Sequence, residues 1–473
     1  MSAGILVFPP DCDRAQELSR RRFGGLTLLE RGLRTMARAG VRQLVVVGVP
    51  APSALSRFVQ RLDLEVEFVD WNGPVNTNIS AGDDFLVLLA DHVHHHSSLN
   101  ELVTEGRHGN GLVVQTSPPN SQETALFRVQ TEEDVVRFNL DFGDELITGA
   151  FLCESELVPL DLICADVDPL TFLSVRAIGR RVELRPGDPK LWRRVSDRRT
   201  VREAKNMLFG QVTKKTSGPV SRHINARLSI PVSKLLIETG ISPHMVTVLF
   251  VLTTGLTAAW LISFPEDPVR LTLAGVLWQM AAILDRCDGE IARVELCESK
   301  FGAWFDTLTD NLAYLSAYAG FLVGIDKLHP DQPIFLYSGF SAGVALIITT
   351  AVMYNYALRT GSGSLQNYLV GFSRHVPPEE KGWLYRNFES YAFMAKRDFF
   401  SFVYFLGAIT GMFHVIYFYT VGGLHILALG VLISQRKMLE SHRRHVTPMK
   451  QAPAHAANET PALPAGSDGK SRG

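Results

Sequence analysis

The chain of 473 residues carries 47 Lys and Arg against 48 Asp and Glu, a formal net charge of -1 at pH 7, with 46% hydrophobic residues. That balance excludes the cationic excess of a nucleic-acid binder, and the length allows two or three domains. Five cysteines (Cys12, Cys153, Cys164, Cys287 and Cys297) show neither C-x-x-C nor zinc-ligand spacing, so reduced thiols on the cytoplasmic side are expected.

Met1–Pro10 has no basic n-region and no small-residue cleavage site, so the first domain is expected to stay in the cytoplasm. From Ala3 to about Lys205 short β-branched runs (Gln43–Val49, Glu65–Val69, Phe85–Ala90 and Gly111–Gln115) alternate with helical stretches. Gly25–Gly40 is one such helix, with Leu29, Leu33, Met36 and Ala37 as its apolar stripe. The alternation predicts an α/β domain, Rossmann-like, with a mostly parallel sheet covered by helices.

This half resembles a sugar-phosphate nucleotidyltransferase domain whose chemical positions are eroded. Where such domains place a glycine-rich phosphate loop, this chain has Phe8-Pro9-Pro10-Asp11, and proline has no N–H to donate. Asp91 matches the family's first metal-binding aspartate, but Arg194 and Ser196 stand where the late segment Trp192–Ser196 should supply acids. A cation there would repel a metal, so the domain is expected to be inactive. The cluster His92, His94, His95 and His96 is read as a polar loop in preference to a metal site.

From Leu184 to Leu236 the chain turns basic. Ser221–Leu236 places Ile224, Leu228, Val232 and Leu235 on one helix stripe beside basic residues, the pattern of a segment lying on a membrane surface. Six apolar spans follow: Pro243–Phe264, Pro268–Leu284, Trp304–Ile325, Pro333–Leu358, Asp398–His414 and about Tyr417–Ser434. Basic residues concentrate in 205–234, 359–397 and 435–450, which puts both termini on the cytoplasmic side. The loop Arg359–Arg397 is long enough to carry surface helices or part of a substrate site. At its end, Lys396-Arg397 sits at a helix N-terminus, where the dipole disfavours cations; an anionic substrate would account for them, and so would the orientation rule alone. The expected domains are 1–205, a basic juxtamembrane segment 206–240, an all-α six-helix transmembrane domain 241–446, and a disordered tail 447–473.

The most informative stretch is Asp285–Asp310, D-R-C-D-G-E-I-A-R-V-E-L-C-E-S-K-F-G-A-W-F-D-T-L-T-D. Asp285 and Asp288 share one helix face, as do Asp306 and Asp310. Two acid pairs at a membrane boundary demand a compensating cation. An all-oxygen set suits a hard divalent ion, Mg²⁺, Mn²⁺ or Ca²⁺. Gly289 and Ala292 remove bulk beside the acids, Arg293 suits phosphate oxygens, and Gly302 lets the second helix start close to the first. Solvated helix-capping charges, a divalent-cation channel and a non-catalytic scaffold are the rival readings. Solvated caps would need the spaced positions to coincide by accident, Gly289, Ala292 and Arg293 speak against an ion path, and a scaffold would tolerate loss of the acids.

Asp285, Asp288, Gly289, Ala292, Arg293, Gly302, Asp306 and Asp310 match D-x2-D-G-x2-A-R-x8-G-x3-D-x3-D without a gap, and the stretch resembles the signature of CDP-alcohol phosphotransferases. The resemblance implies a six-helix membrane enzyme, usually a homodimer, with two divalent ions (Mg²⁺ or Mn²⁺), that displaces CMP from a CDP-alcohol with an acceptor hydroxyl. It implies that Asp285, Asp288, Asp306 and Asp310 hold metal, that Asp310 also takes the acceptor's proton, and that Gly289, Ala292, Arg293 and Gly302 bind the CDP moiety. Ser221, Arg222 and Asn225 fit the family's juxtamembrane element, with Ala226 displacing the following arginine to Arg227. Arg222, Asn225 and Arg397 are candidate acceptor or phosphate contacts. The layout, a cytidylyltransferase-like domain before such a membrane domain, is similar to fused enzymes that make CDP-inositol and join it to inositol phosphate. An alternative is therefore a bifunctional enzyme whose N-terminal domain makes the CDP-alcohol from CTP.

Overall fold

The computed structural model describes residues 3–450 except 53–54, 72–83, 106–110, 119–127, 133–134, 140–144, 154–180, 214–218 and 361–396. The loop expected to carry surface helices therefore lies outside the described residues up to its last member, Arg397. Most of the expected disordered tail does too. Its first residues are not a tail, because the last helix, Phe413–Lys450, continues through Thr447.

The N-terminal domain is built on β1 (Ala3–Val7), which pairs in parallel with β2 (Gln43–Val47) and with β4 (Phe85–Leu89), while β2 pairs in parallel with β3 (Glu65–Val69). Antiparallel pairing of Glu145–Cys153 with β4 extends the sheet on the other side. Since β2 and β4 flank β1 on opposite sides, the strand order reverses there. The carboxyl ends of β1 and β4 border the crevice where α/β sheets bind ligands.

The helix α1 (Leu28–Arg38) begins with a capping box, in which Thr27 Oγ1 accepts from the Glu30 amide at 3.1 Å and Glu30 Oε2 accepts from the Thr27 amide at 2.8 Å. Leu29, Leu33 and Met36 pack into the sheet core, with Ala37 half-buried. That core does not stop at the domain's edge. Ile237, Val246, Cys287, Ile291 and Val294 from the C-terminal half belong to the same apolar cluster as Leu33 and Met36.

The histidine cluster departs from the expected loop. His92–His94 form β5, antiparallel to β6 (Trp192–Arg194), and His96 opens a helix. His92 and His94 are each 3% exposed. They lie near the Trp192 ring, and His94 Nε2 meets the Thr148 carbonyl at 2.8 Å. Alternation put His92 and His94 on one face, and the indole and the carbonyl make that face interior.

The C-terminal half is helical: α2 (Ala226–Leu236), α3 (Pro243–Ile262), α4 (Pro268–Val294), α5 (Lys300–Leu328), α6 (Pro333–Thr360), α7 (Arg397–Ile409) and α8 (Phe413–Lys450). Pro243–Ile262, Pro333–Asn355 and Phe413–Ile433 are long and apolar enough to cross a membrane.

A wider π turn over Ser221–Asn225 leads into α2. The predicted stripe faces outward, with Leu228 and Leu235 53% and 71% exposed. The buried face is instead the four-residue repeat Ser221, Asn225, Ser229 and Ser233. These polar groups meet polar partners on α4. Ser229 and Ser233 each donate to Glu290, both at 2.7 Å, Arg286 Nη2 donates to Glu290 at 3.0 Å, and Gln279 donates to Asn225 at 2.9 Å. Glu290 is fully buried, which is tolerable because charged and neutral donors satisfy both oxygens.

Candidate active site

The hairpin of α4 and α5 carries all four motif acids. Asp267 caps α4 ahead of Pro268 at N1, and Ser299 Oγ caps α5 by accepting from the Gly302 amide at 3.0 Å. Asp285 and Asp288 lie in the last turns of α4, and Asp306 and Asp310 in the first turns of α5. One carboxylate oxygen from each of Asp285, Asp288 and Asp306 lies within 4.8 Å of the others. Asp288 is 7% exposed and accepts from Thr247 Oγ1 of α3 at 2.5 Å. Among the described residues this is the one group with three potential metal ligands in reach of each other. Its donors are all oxygen, without thiolate or imidazole, and fit a hard divalent ion.

Asp310 adjoins that trio. Its carboxylate is bound by Arg397 from the first turn of α7, and the same Arg397 Nη1 lies 2.6 Å from Asp285 Oδ1. Tyr314, one turn on, donates to Asp310 Oδ2 at 3.5 Å, and the Arg397 guanidinium lies 5.7 Å from its ring centroid.

The other predicted residues are placed unevenly. Arg293 is half-buried with its Nε unpartnered. A Cβ on Gly289 would come 3.1 Å from Arg293 Nη1, so the space Gly289 leaves is occupied by this guanidinium. Ala292 is half-buried. The neighbours of Gly302 are His244 of α3 and Ser299, so the contact it eases is with α3 and not with α4. Arg222 is exposed, whereas Asn225 is buried against Gln279. Sequence reasoning missed Thr247, Tyr314, Arg286 and Glu290. The four-residue spacing of Ser221, Asn225, Ser229 and Ser233 was the available signal, since it marks a polar helix face needing a polar partner.

In the N-terminal domain Asp91 follows β4 at the crevice, 8% exposed. Its two oxygens are taken by His92 Nδ1 at 2.7 Å and Arg194 Nε at 3.0 Å. Above β1, the Pro9 carbonyl accepts from Trp71 Nε1 at 3.1 Å.

Residues 241–371 match the family model described as CDP-alcohol phosphatidyltransferase. A protein of Rubrobacter xylanophilus named bifunctional IPC transferase and DIPP synthase is 31% identical over 341 residues, covering 68% of this chain and 76% of that protein. One of the same name from Thermococcus kodakarensis is 27% identical over 348 residues, 71% of this chain and 76% of its own. Among solved structures, the inositol-1-phosphate CTP transferase from T. maritima aligns with 44% of this chain and 96% of its own at 14% identity and a TM-score of 0.34. With its acids gathered on one helical hairpin and its relatives matched over most of their length, the chain belongs to the CDP-alcohol phosphatidyltransferase family, whose enzymes transfer a substituted phosphate group from a CDP-alcohol to an acceptor hydroxyl and release CMP.

Proposed function

We propose that Asp285, Asp288 and Asp306 hold divalent metal, two Mg²⁺ or Mn²⁺ ions with Asp310 shared, and that Asp310 is the general base. The observation that carries this reading is the convergence of three carboxylates within 4.8 Å, with Asp310 joined to one of them, Asp285, through a single Arg397 nitrogen. When bound, the ions neutralise the diphosphate and stabilise charge on its oxygens. The acceptor oxygen forms a bond to the phosphorus that carries the alcohol, the bond from that phosphorus to the CMP oxygen breaks, and the acceptor's proton passes to the Asp310 carboxylate. Arg293, in the space left by Gly289, is suited to a phosphate of the CDP moiety, with Ala292 and Gly302 lining its approach. Arg397 is suited to an anionic acceptor, with Arg222 and Asn225 as further contacts.

The layout similar to fused enzymes that make CDP-inositol favours CDP-inositol or a lipid CDP-alcohol as donor and an inositol phosphate as acceptor, in keeping with a relative named phosphatidylinositol phosphate synthase. The helical half is read as six spans over 241–446, preceded by α2 on the membrane surface with Leu228 and Leu235 toward lipid. Both termini and the acid cluster then face the cytoplasm, and the chain works as a homodimer. The N-terminal domain, 1–205, is read as inactive, because Arg194 supplies the charge that a metal would bring to Asp91.

The test supplies purified full-length protein with CDP-inositol or CDP-diacylglycerol and, in turn, inositol phosphate and other small alcohols, and measures CMP. Acceptor-dependent CMP release from one donor is the expected result. No release from either donor with any acceptor would overturn the assignment.

A further inference from the structure

The turn that joins the two acid pairs is fastened from outside the membrane half. Its backbone forms a Schellman motif, with Cys297 N donating to Ala292 O at 2.9 Å and Leu296 N to Arg293 O at 3.2 Å. The residue that must turn left-handed is Leu296, with φ of 55°. Glycine ordinarily occupies that position, and a branched side chain there costs roughly 1 kcal/mol or more. Such a conformation persists only where its surroundings fix it.

The surroundings that fix it come from α1. Arg31, Arg34 and Arg38 lie on one face of that helix, opposite the stripe buried in the sheet. Arg31 Nη1 donates to Val294 O at 2.8 Å, Arg34 donates to Glu295 O, and Arg38 Nη2 donates to Glu298 O at 3.2 Å and Leu296 O at 3.5 Å. Three cations thus take up carbonyls at the negative end of α4 and along the turn, where helix geometry leaves acceptors unsatisfied. Arg31 also ties the turn to its own domain, since Nη2 donates to Gly24 O at 3.0 Å. Gly25, with φ of 80°, packs against Glu295 so closely that a Cβ there would collide with its carboxylate.

We propose that the arginine face of α1 is a positioning device for the reaction, setting the spacing of Asp285 and Asp288 against Asp306 and Asp310 by clamping the turn between them. The N-terminal domain then has a task that needs no chemistry of its own: its rigid sheet carries α1, and α1 holds the hairpin. Here the proposal rests on the reading of Asp285, Asp288 and Asp306 as metal ligands.

The experiment uses full-length protein carrying Arg34→Ala, Arg38→Ala, both together, or Arg31→Lys, with Arg42→Ala as control. Arg42 pairs with Asp63 on the far end of α1's connection, in solvent. Two quantities are read: Mn²⁺ affinity by electron paramagnetic resonance, and kcat for CMP release with its Mg²⁺ dependence. The double variant should bind Mn²⁺ several-fold more weakly and lose about tenfold or more in kcat, since small misplacements of reacting groups cost that much. Its KM for acceptor and its unfolding temperature should change little. Arg31→Lys should fall short in the same way, because an ammonium cannot span Val294 and Gly24 as a fork does. Unchanged Mn²⁺ affinity in the double variant, or losses that merely follow the folded fraction, would overturn the proposal. If the unsubstituted chain binds Mn²⁺ yet releases no CMP, the assigned reaction fails while the Mn²⁺ comparison still decides the clamp.

Discussion

Arg397 reaches from the first turn of α7 to Asp285 on α4, Nη1 to Oδ1 at 2.6 Å, and the same nitrogen binds Asp310 on α5. A cation at a helix N-terminus opposes the helix dipole, and the acids it meets are what offset that cost. Arg397→Gln should lose most transfer activity. Removing one partner of such a partly shielded ion pair destabilises by about 3 kcal/mol in buried cases, less for these 13% and 22% exposed side chains. Unfolding in chelator should therefore shift down in this variant, with saturating Mg²⁺ restoring part of the loss. Equal shifts with and without Mg²⁺ would show that Arg397 and the ions do not act on the same charges.

Metal removal is the simplest check on the carboxylate trio. CMP release should vanish in chelator and return with Mg²⁺ or Mn²⁺, because Asp285, Asp288 and Asp306 converge within 4.8 Å and their mutual repulsion favours an ion between them. Full turnover in excess chelator would contradict the proposed site.

The N-terminal domain should make no CDP-alcohol. Burial works against ionisation of Asp91, yet the interactions with His92 and Arg194 outweigh it and hold the carboxyl well below the usual carboxylate range. Arg194 meets this acid directly, so a catalytic metal would have to displace a guanidinium. Full-length protein given CTP and inositol phosphate should release no pyrophosphate. Robust release would restore the bifunctional reading.

Acid should loosen the same domain through His94. Burial, reinforced by the charge of His92 and opposed by the Thr148 carbonyl, pushes its imidazole down to about 3 from 6.5. The folded state holds His94 neutral, so its contribution is intact above about pH 6.5 and is lost as pH falls toward 3. By pH 5 the linkage amounts to about 2 kcal/mol. His94→Gln should be less stable at pH 7.5, having lost the ring's fit, but should show a flatter decline from pH 7.5 to 5, followed by tryptophan fluorescence. Parallel declines for the two proteins would rule His94 out as the acid-sensitive group.

What was legible in the sequence was whatever repeats at short range. The strands Glu65–Val69 and Phe85–Leu89 and the helix bearing Leu29, Leu33 and Met36 follow from local period, and the acid pairs follow from helical spacing. Longer-range relations were out of reach. Nothing local says that Arg194 returns to Asp91, that Arg397 closes on Asp310, or that Arg38 meets Glu298. The side of α2 that turns inward was not legible because its buried face is polar. Only the opposing Glu290 and Arg286 make burial of Ser229 and Ser233 favourable, and α4 supplies them from 57 or more positions away.

The different roles proposed for Asp310 and for the carboxylate trio give the sharpest test. Asp310→Asn keeps the size and one oxygen but cannot accept a proton. A base role predicts loss in the chemical step, with kcat down by about 10²-fold or more and the binding of CDP-alcohol nearly unchanged. Asp285→Asn and Asp288→Asn instead remove charge from the trio, so they should weaken Mn²⁺ and CDP-alcohol binding together. Asp288 should be the more damaging of the two, because at 7% exposed it leaves little room for water to take over from the lost carboxylate. Binding is measured by titration calorimetry and kcat by CMP release on the same preparations. If Asp310→Asn keeps near-normal turnover, or loses nucleotide affinity as severely as Asp285→Asn, then Asp310 is one more ligand and the proton must leave by another group.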